Sequence, residues 1–125
     1  MIYLAMIFMH VLDDYGLQAR CLSSLKQKNW WKEHKDYLPS YRYDYIVALL
    51  MHSFSWTFMI MLPIALRMGF DLTIPFGIAF ALNLAIHAAV DDLKANRKKI
   101  NLVVDQTIHI VQILATGFAL TEIFV

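Results

Sequence analysis

The strongest constraint on this chain is a run of 21 residues, Ile46 to Leu66, that contains no charged side chain. A helix of about 20 apolar residues is long enough to cross the hydrocarbon core of a bilayer. Hydrophobic residues make up 59% of the chain, against about 45–50% in ordinary soluble domains. We therefore expect an all-α, polytopic membrane protein that forms a single domain over residues 1–125. Its four transmembrane helices are predicted at about residues 1–18, 44–67, 72–92 and 100–122.

The first apolar stretch begins Met1-Ile-Tyr-Leu-Ala5, with no basic residue before it and no small-residue cleavage pattern after it. We expect it to be a retained membrane segment and not a cleaved signal peptide. The single cysteine, Cys21, leaves no partner for a disulfide within the chain and no CxxC metal motif.

Basic residues fall in two blocks. Six of the eleven lie between Arg20 and Arg42, and four more lie between Lys94 and Lys99. With four spans, both blocks lie on one side of the membrane and only Arg67 lies on the other. The positive-inside rule then predicts cytoplasmic basic loops and both termini outside, in the inner (plasma) membrane.

The linker over residues 19–43 combines its lysines with Trp30, Trp31 and Tyr37. Aromatic and basic residues side by side are typical of a segment at the level of the lipid headgroups. Since these aromatic residues lie between two apolar spans, we expect membrane lipid as a partner and no nucleic acid.

Each predicted span carries a histidine, and three of the four also carry an aspartate at a distance of four residues. The pairs are His10 with Asp14, His87 with Asp91, and Asp105 with His109, while His52 lies in the second span. Side chains four residues apart share one face of a helix. Counted from the basic loops at 1.5 Å per residue, the four histidines lie roughly 12 Å deep and these three aspartates roughly 6 Å deep. The pattern predicts a His/Asp cluster inside the bundle, because ionisable groups in a membrane need partners.

Imidazole and carboxylate groups are ligands of zinc and other divalent first-row metals, so we expect a divalent metal ion, most readily zinc. The candidate metal ligands are His10, Asp14, His52, His87, Asp91, Asp105 and His109. Asp14 and Asp105 are also candidate catalytic bases, and Gln18, Asn83, Gln106 and Gln112 are candidate substrate-binding residues. Asp92 is off the polar face and is expected in a loop. The alternative is a set of interhelical hydrogen bonds, each worth on the order of 1 kcal/mol.

Three motifs carry a resemblance to a known family. They are His10-Val-Leu-Asp-Asp14-Tyr-Gly-Leu-Gln18, His87-Ala-Ala-Val-Asp91-Asp-Leu-Lys94 and Asp105-Gln106-Thr-Ile-His109, with His52 between the first two. In this order the chain resembles, over nearly its whole length, small bacterial and phage membrane proteins grouped as domain of unknown function 3307. The HxxxD pattern is also similar to that of membrane-bound metal-dependent hydrolases, which is an analogy of pattern only.

Our main hypothesis for the function is a metal-dependent hydrolase in the membrane. It would act on a lipid-linked or amphiphilic ester or phosphoester at the cytoplasmic leaflet. The second hypothesis is a carrier or binding protein for a polar heterocycle such as a purine-like base, which would require a homo-oligomer to form a path. The third is a non-catalytic, phage-type membrane interaction protein.

Overall fold

The computed structural model describes residues 1–18, 20–33 and 38–123, and every regular element in these ranges is helical. The all-α expectation is confirmed there. The α-helices are α1 (Ile2–Val11), α2 (Arg20–Leu25), α3 (Lys28–Glu33), α4 (Asp44–Arg67), α5 (Ile74–Ala95) and α6 (Leu102–Phe118). Two π-helical turns, Leu12–Leu17 and Ala119–Ile123, continue α1 and α6, and a 3₁₀ segment, Pro39–Tyr43, leads directly into α4.

The starts of α5 and α6 are set by side-chain caps. The Thr73 hydroxyl accepts a hydrogen bond from the Phe76 amide at 3.4 Å, and the Asn101 side chain accepts one from the Val104 amide at 2.9 Å. Such caps satisfy backbone donors that have no partner in the first turn of a helix. Because Asn101 ends the basic loop, its cap fixes the point from which Asp105 enters the bundle.

Three segments in the described part of the chain are long and apolar enough to cross a membrane: Pro39–Arg67, Ile74–Ala95 and Leu102–Ile123. The expectation of four such spans is therefore corrected to three. The first helix runs only from Ile2 to Leu17, because Gln18 leaves the helical conformation with φ −66° and ψ 103°. At 1.5 Å per residue it measures about 24 Å, shorter than the about 30 Å of hydrocarbon that a spanning helix must cross.

The first helix nevertheless packs as part of the bundle, against α4 and α6. Met6 is fully buried in the apolar core, in one cluster with residues of all three long helices. The opposite face of α1 exposes Leu4 and Phe8 at 65% and 62% of their surface, and the long helices also expose large apolar side chains outward. An outer surface this apolar is typical of a protein surrounded by lipid.

The interior of the bundle is apolar toward one end and polar toward the other. Toward the loop that joins α4 to α5, the core is apolar and includes Ile60, Ile64, Phe76 and Ile113. Toward the basic loops, buried histidines and aspartates take the place of these apolar residues. The polar half of the interior is therefore the half nearest the basic residues.

The short helices α2 and α3 close the basic end of the bundle. The Asn96 side chain accepts a hydrogen bond from the Lys28 amide at 2.7 Å and donates one to the Lys26 carbonyl at 3.1 Å. Within the linker, the Trp31 indole donates to the Leu25 carbonyl at 2.8 Å, and Trp30 meets Trp31 edge to face at 5.2 Å. One asparagine thus joins the linker to the loop between α5 and α6. His34 and Tyr37 lie outside the described residues.

The contact between α1 and α6 depends on Gly117. A Cβ atom at this position would lie 2.6 Å from the Tyr3 ring, whereas a Cβ atom at Gly77 meets nothing within 4 Å. We predict that Gly117→Ala lowers the free energy of unfolding by about 1–3 kcal/mol, because the ring must move. Gly77→Ala, the matched control, should leave stability unchanged or raise it slightly. Thermal unfolding in detergent measures both; equal midpoints for the two variants would contradict this packing.

Trp30 and Trp31 are predicted to lie at the headgroup level, because amphipathic rings beside lysines favour the interface over water or hydrocarbon. Lipids brominated at graded depths should quench their fluorescence most strongly when the bromine is shallow. The third tryptophan, Trp56, is fully buried, so its contribution can be isolated in a Trp30→Phe, Trp31→Phe double variant. Quenching of the two linker tryptophans no stronger than in a soluble protein would rule the interfacial position out.

Candidate metal centre

Four histidines from four different helices meet in the polar half of the bundle. His10, His52, His87 and His109 come from α1, α4, α5 and α6, and each is at most 2% exposed. The ring centroids of His87 and His109 are 4.3 Å apart, those of His52 and His87 are 5.1 Å apart, and those of His10 and His109 are 5.9 Å apart. The predicted His/Asp cluster inside the bundle is confirmed.

Asp91 occupies the centre of this group. Its Oδ1 lies 3.6 Å from His109 Nε2 and 3.8 Å from His87 Nε2, while its Oδ2 lies 3.5 Å from His52 Nε2. Asp105 approaches from α6, with Oδ1 at 3.4 Å from the same His109 nitrogen. Two carboxylates and three imidazoles therefore lie close together.

A second set of contacts surrounds His52. Its Nε2 lies 3.6 Å from Asp14 Oδ1, and its Nδ1 lies 3.8 Å from Asp13 Oδ2. The other oxygen of Asp13 accepts a hydrogen bond from the Ser55 hydroxyl at 2.6 Å. The π-helical turn over Leu12–Leu17 carries both of these aspartates to the cluster.

Trp56 separates the cluster from the apolar core. Its indole lies parallel to the His87 ring, at 4.1 Å between centroids, and its Nε1 donates a hydrogen bond to His10 Nδ1 at 2.7 Å. An indole N–H can only donate, so His10 Nδ1 is the acceptor and its Nε2 carries the proton. That Nε2 donates to Gln106 Oε1 at 3.0 Å, which leaves both nitrogens of His10 engaged.

Gln106 continues this hydrogen-bond chain to the carboxylates of Asp105 and Asp14. Its amide nitrogen lies 3.1 Å from Asp105 Oδ2 and 3.3 Å from Asp14 Oδ2. Since its carbonyl oxygen accepts from His10, both amide protons are available for the two carboxylates. Gln106 therefore links the acids of the first helix and of α6.

Several buried polar atoms of the cluster make no hydrogen bond to any residue that the structure describes. They are both ring nitrogens of His87 and of His109, with one carboxylate oxygen each from Asp13, Asp14 and Asp105. Burying such groups without partners is costly, and native proteins rarely do it. A site with this many unsatisfied ligand atoms fits a metal ion better than it fits a hydrogen-bond network.

The spacing of the ligand atoms supports the same conclusion. The contacts between imidazole nitrogens and carboxylate oxygens measure 3.4 to 3.8 Å, longer than hydrogen bonds. Ligands bound tetrahedrally at about 2.0–2.1 Å from zinc are about 3.3 Å from one another. Two groups could hold an ion, with ligand atoms within 4.8 Å of one another: Asp14 with His52 and His87, and His87 with Asp91 and His109. His87 is common to both.

Two lysines compensate part of the negative charge. Lys26 Nζ lies 2.7 Å from Asp91 Oδ2, and Lys94 Nζ lies 2.7 Å from Asp105 Oδ2. The cluster holds four carboxylates and these two ammoniums, so at formal charge two negative charges remain uncompensated. A single divalent cation would supply the balancing charge.

The four predicted substrate-binding residues fall in three places. Gln106 lies within the cluster, and Gln18 lines a polar cavity beside it. Asn83 and Gln112 form a separate layer between α5 and α6, where Asn83 Nδ2 donates to Thr116 Oγ1 at 2.8 Å and Gln112 Nε2 donates to the Asn83 carbonyl at 2.9 Å. A substrate-binding role for any of the four stays a prediction.

The expectation that Asp92 lies in a loop is wrong, because Asp92 lies in the last turn of α5, outside the cluster. It accepts hydrogen bonds from Asn96 at 2.8 Å and from Arg97 at 3.1 Å. These contacts stabilise the turn between α5 and α6 and leave Asp92 free of any role in the ligand set.

Sequence reasoning did not single out Trp56, Lys26 or Lys94 as members of the site. Trp56 follows His52 by four residues and Lys94 follows Asp91 by three, so helical spacing placed both on the polar faces. Lys26 offered no such signal, because it comes from the linker and reaches Asp91 across 65 positions of sequence.

Comparison with known proteins gives one match. No curated protein and no solved structure matches the chain. The sequence model of one family, described as protein of unknown function (DUF3307), matches residues 2–124. The match covers all the motifs that supply the cluster, and the chain therefore belongs to this family.

Proposed function

We propose that this protein is an integral membrane metalloprotein that hydrolyses a lipid-linked or amphiphilic ester or phosphoester at the cytoplasmic leaflet. One observation carries the proposal. The ring nitrogens of His87 and His109 are buried, make no hydrogen bond to any described residue, and face the carboxylates of Asp91 and Asp105. Nitrogen and oxygen ligands in this arrangement suit zinc or another divalent first-row metal.

His87, Asp91 and His109 would be the protein ligands. Three protein ligands and one open position are typical of catalytic zinc sites, whereas structural sites have four. A bound zinc ion would acidify its water so that hydroxide is available near neutral pH, and would polarise the bond to be cleaved. The Asp105 Oδ1 atom lies 3.4 Å from His109 Nε2. Asp105 would accept the proton released from that water.

Asp14 and His52 lie next to these three proposed ligands. Asp14 is the most exposed of the four aspartates in the cluster, at 11% of its side chain, and is a second candidate base. The charge balance favours one ion per chain, since a second divalent cation would leave two positive charges in excess. His10, with both nitrogens hydrogen-bonded, would position Gln106 and would not itself bind the ion.

The location of the cluster supports a substrate at the membrane surface. The cluster lies in the half of the bundle that is closed by the basic loops and by Trp30 and Trp31. In the positive-inside orientation this half faces the cytoplasm. Near the cluster, Ser55 donates to Asp13 and not to a histidine, so a metal-activated water is a better nucleophile than a serine.

The carrier hypothesis is the weaker alternative. A carrier needs polar access from both sides of the membrane to one site. Here Trp56 and the apolar residues Ile60, Ile64 and Ile113, all at most 1% exposed, fill the interior on the far side of the cluster. Access from the basic end alone favours an enzyme that takes its substrate from one leaflet.

We predict that His87→Ala or His109→Ala abolishes metal binding while the protein still folds and inserts into the membrane. The ligands dominate the affinity of a metal site, whereas the apolar helices insert without the metal. Elemental analysis of detergent-purified protein should give about one ion per chain for the wild type and close to none for either variant.

The matched control is Asp92→Asn, which removes a carboxylate adjacent in sequence to Asp91 but outside the cluster. It should leave the metal content unchanged. Hydrolysis of a short-chain phosphodiester in mixed micelles should be lost in His109→Ala and strongly reduced in Asp105→Asn. A wild-type protein without any ion would refute the metal hypothesis, and so would histidine variants that retain it fully.

The orientation can be tested separately. In a Cys21→Ser background, a cysteine replacing Lys99 should react with an impermeant thiol reagent only after the membrane is opened. A cysteine replacing Asp71, in the exposed loop between α4 and α5, should react in intact cells. Labelling of the Lys99 position in intact cells would reverse the proposed topology.

A further inference from the structure

A polar cavity of about 460 Å³ opens beside the His/Asp cluster at the basic end of the bundle. Its lining includes Gln18, Lys26, Asp91, Lys94 and Lys98. The volume lies within the range of about 300–1,000 Å³ that is usual for pockets that bind small molecules. Because Asp91 belongs both to the cavity wall and to the candidate ligand set, a molecule in this cavity would lie directly against the metal centre.

Three lysines from three segments of the chain line this cavity. Lys26 follows α2, Lys94 lies in the last turn of α5, and Lys98 lies in the loop before α6. Lys26 and Lys94 are each paired with one carboxylate at 2.7 Å. Lys98 is exposed and forms no ion pair with any described residue. The Lys98 ammonium is therefore available to an anion that binds in the cavity.

A metal ion would change the balance of these pairs. Lys26 and Lys94 compensate Asp91 and Asp105, the carboxylates that the ion would bind or approach. With a divalent cation present, the attraction between each carboxylate and its lysine weakens. By the same formal count the cluster would then be neutral, and Lys98 would add one uncompensated positive charge at the cavity.

We infer that this cavity binds the phosphate group of the substrate. The inference rests on the proposed function and narrows its substrate class to phosphate esters. Lysine is a common phosphate ligand, acting as a point charge. A tetrahedral phosphate offers oxygens in several directions, whereas a carboxylate offers two in one plane. Lysines that line the cavity from three segments of the chain suit such a group, because different lysines could bind different oxygens.

The backbone holds Lys98 at the cavity. Its φ of 51° lies in the left-handed region, which costs free energy for a residue with a side chain. Such conformations persist where the surrounding structure imposes them, and they are frequent at ligand sites. Here Asn96, two residues earlier, is fixed to the linker through Lys28 and Lys26. The contacts of Asn96 therefore hold the loop that carries Lys98 against the linker that carries Lys26.

Equilibrium dialysis against inorganic phosphate, with protein as purified in phosphatidylcholine nanodiscs, tests the inference. Lys98→Gln should weaken phosphate binding about tenfold, the effect expected for loss of one charged hydrogen bond. Lys99→Gln is the matched control, because it removes the same charge from the next residue, which does not line the cavity. Lys98→Glu should abolish binding. Failure of the wild type to bind phosphate saturably, or equal losses for Lys98→Gln and Lys99→Gln, would overturn the inference.

A second arm identifies the source of the phosphate group. In nanodiscs that contain phosphatidic acid, a lipid phosphate in the cavity should reduce the binding of inorganic phosphate in the wild type, but not in Lys98→Glu. If phosphatidic acid has no effect while inorganic phosphate binds, the cavity takes a free phosphorylated molecule. Metal analysis of the same samples keeps the two proposals apart. Protein without an ion refutes the proposed function, whereas the comparison of Lys98 with Lys99 decides the phosphate site in either case.

Discussion

The structure depends on compensating buried negative charge within an apolar bundle. Four aspartates are buried or nearly so, and the exposed surface around them is largely apolar. Carboxylates in such surroundings are strongly destabilising unless positive charge or hydrogen bonds meet them. Lys26 and Lys94 supply two positive charges, Ser55 and Gln106 supply donors, and two negative charges remain at formal charge. The histidines, the linker and the basic loop are arranged around this requirement, and a bound divalent cation would complete it.

The short first helix follows from the same requirement. Because it ends at Leu17, the chain turns at Gln18 before it has crossed the bilayer, and the linker can fold back over the basic end. A longer helix would carry the linker away from the cluster, and Lys26 could not reach Asp91. The first helix is therefore too short to span the membrane, and its early end lets the Lys26 ammonium reach Asp91, the most central carboxylate.

Much of this structure could be predicted from local patterns in the sequence. The apolar runs indicated helices in a membrane, and residues four apart, such as His87 and Asp91, indicated a shared face and a common depth for the cluster. The end of the first helix could not be predicted, since residues 13–18 continue its polar face and only the docked linker shows why the helix stops. Lys26 and Asn96 were missed for a related reason. Their contacts join segments 65 to 70 positions apart, and helical periodicity carries no information at that range.

The hydrogen-bond chain that starts at Trp56 has one direction. The indole can only donate, so His10 must accept from it and donate to Gln106, whose amide in turn donates to the carboxylates. No member of this chain can reverse its role without leaving the indole hydrogen unpaired in the core. Among the described residues, this chain therefore cannot carry a proton from Asp105 toward the apolar half of the bundle, because the Gln106 amide nitrogen that faces Asp105 has no lone pair to accept it. Were Asp105 the base of the proposed reaction, its proton would not be conducted across the membrane along this chain.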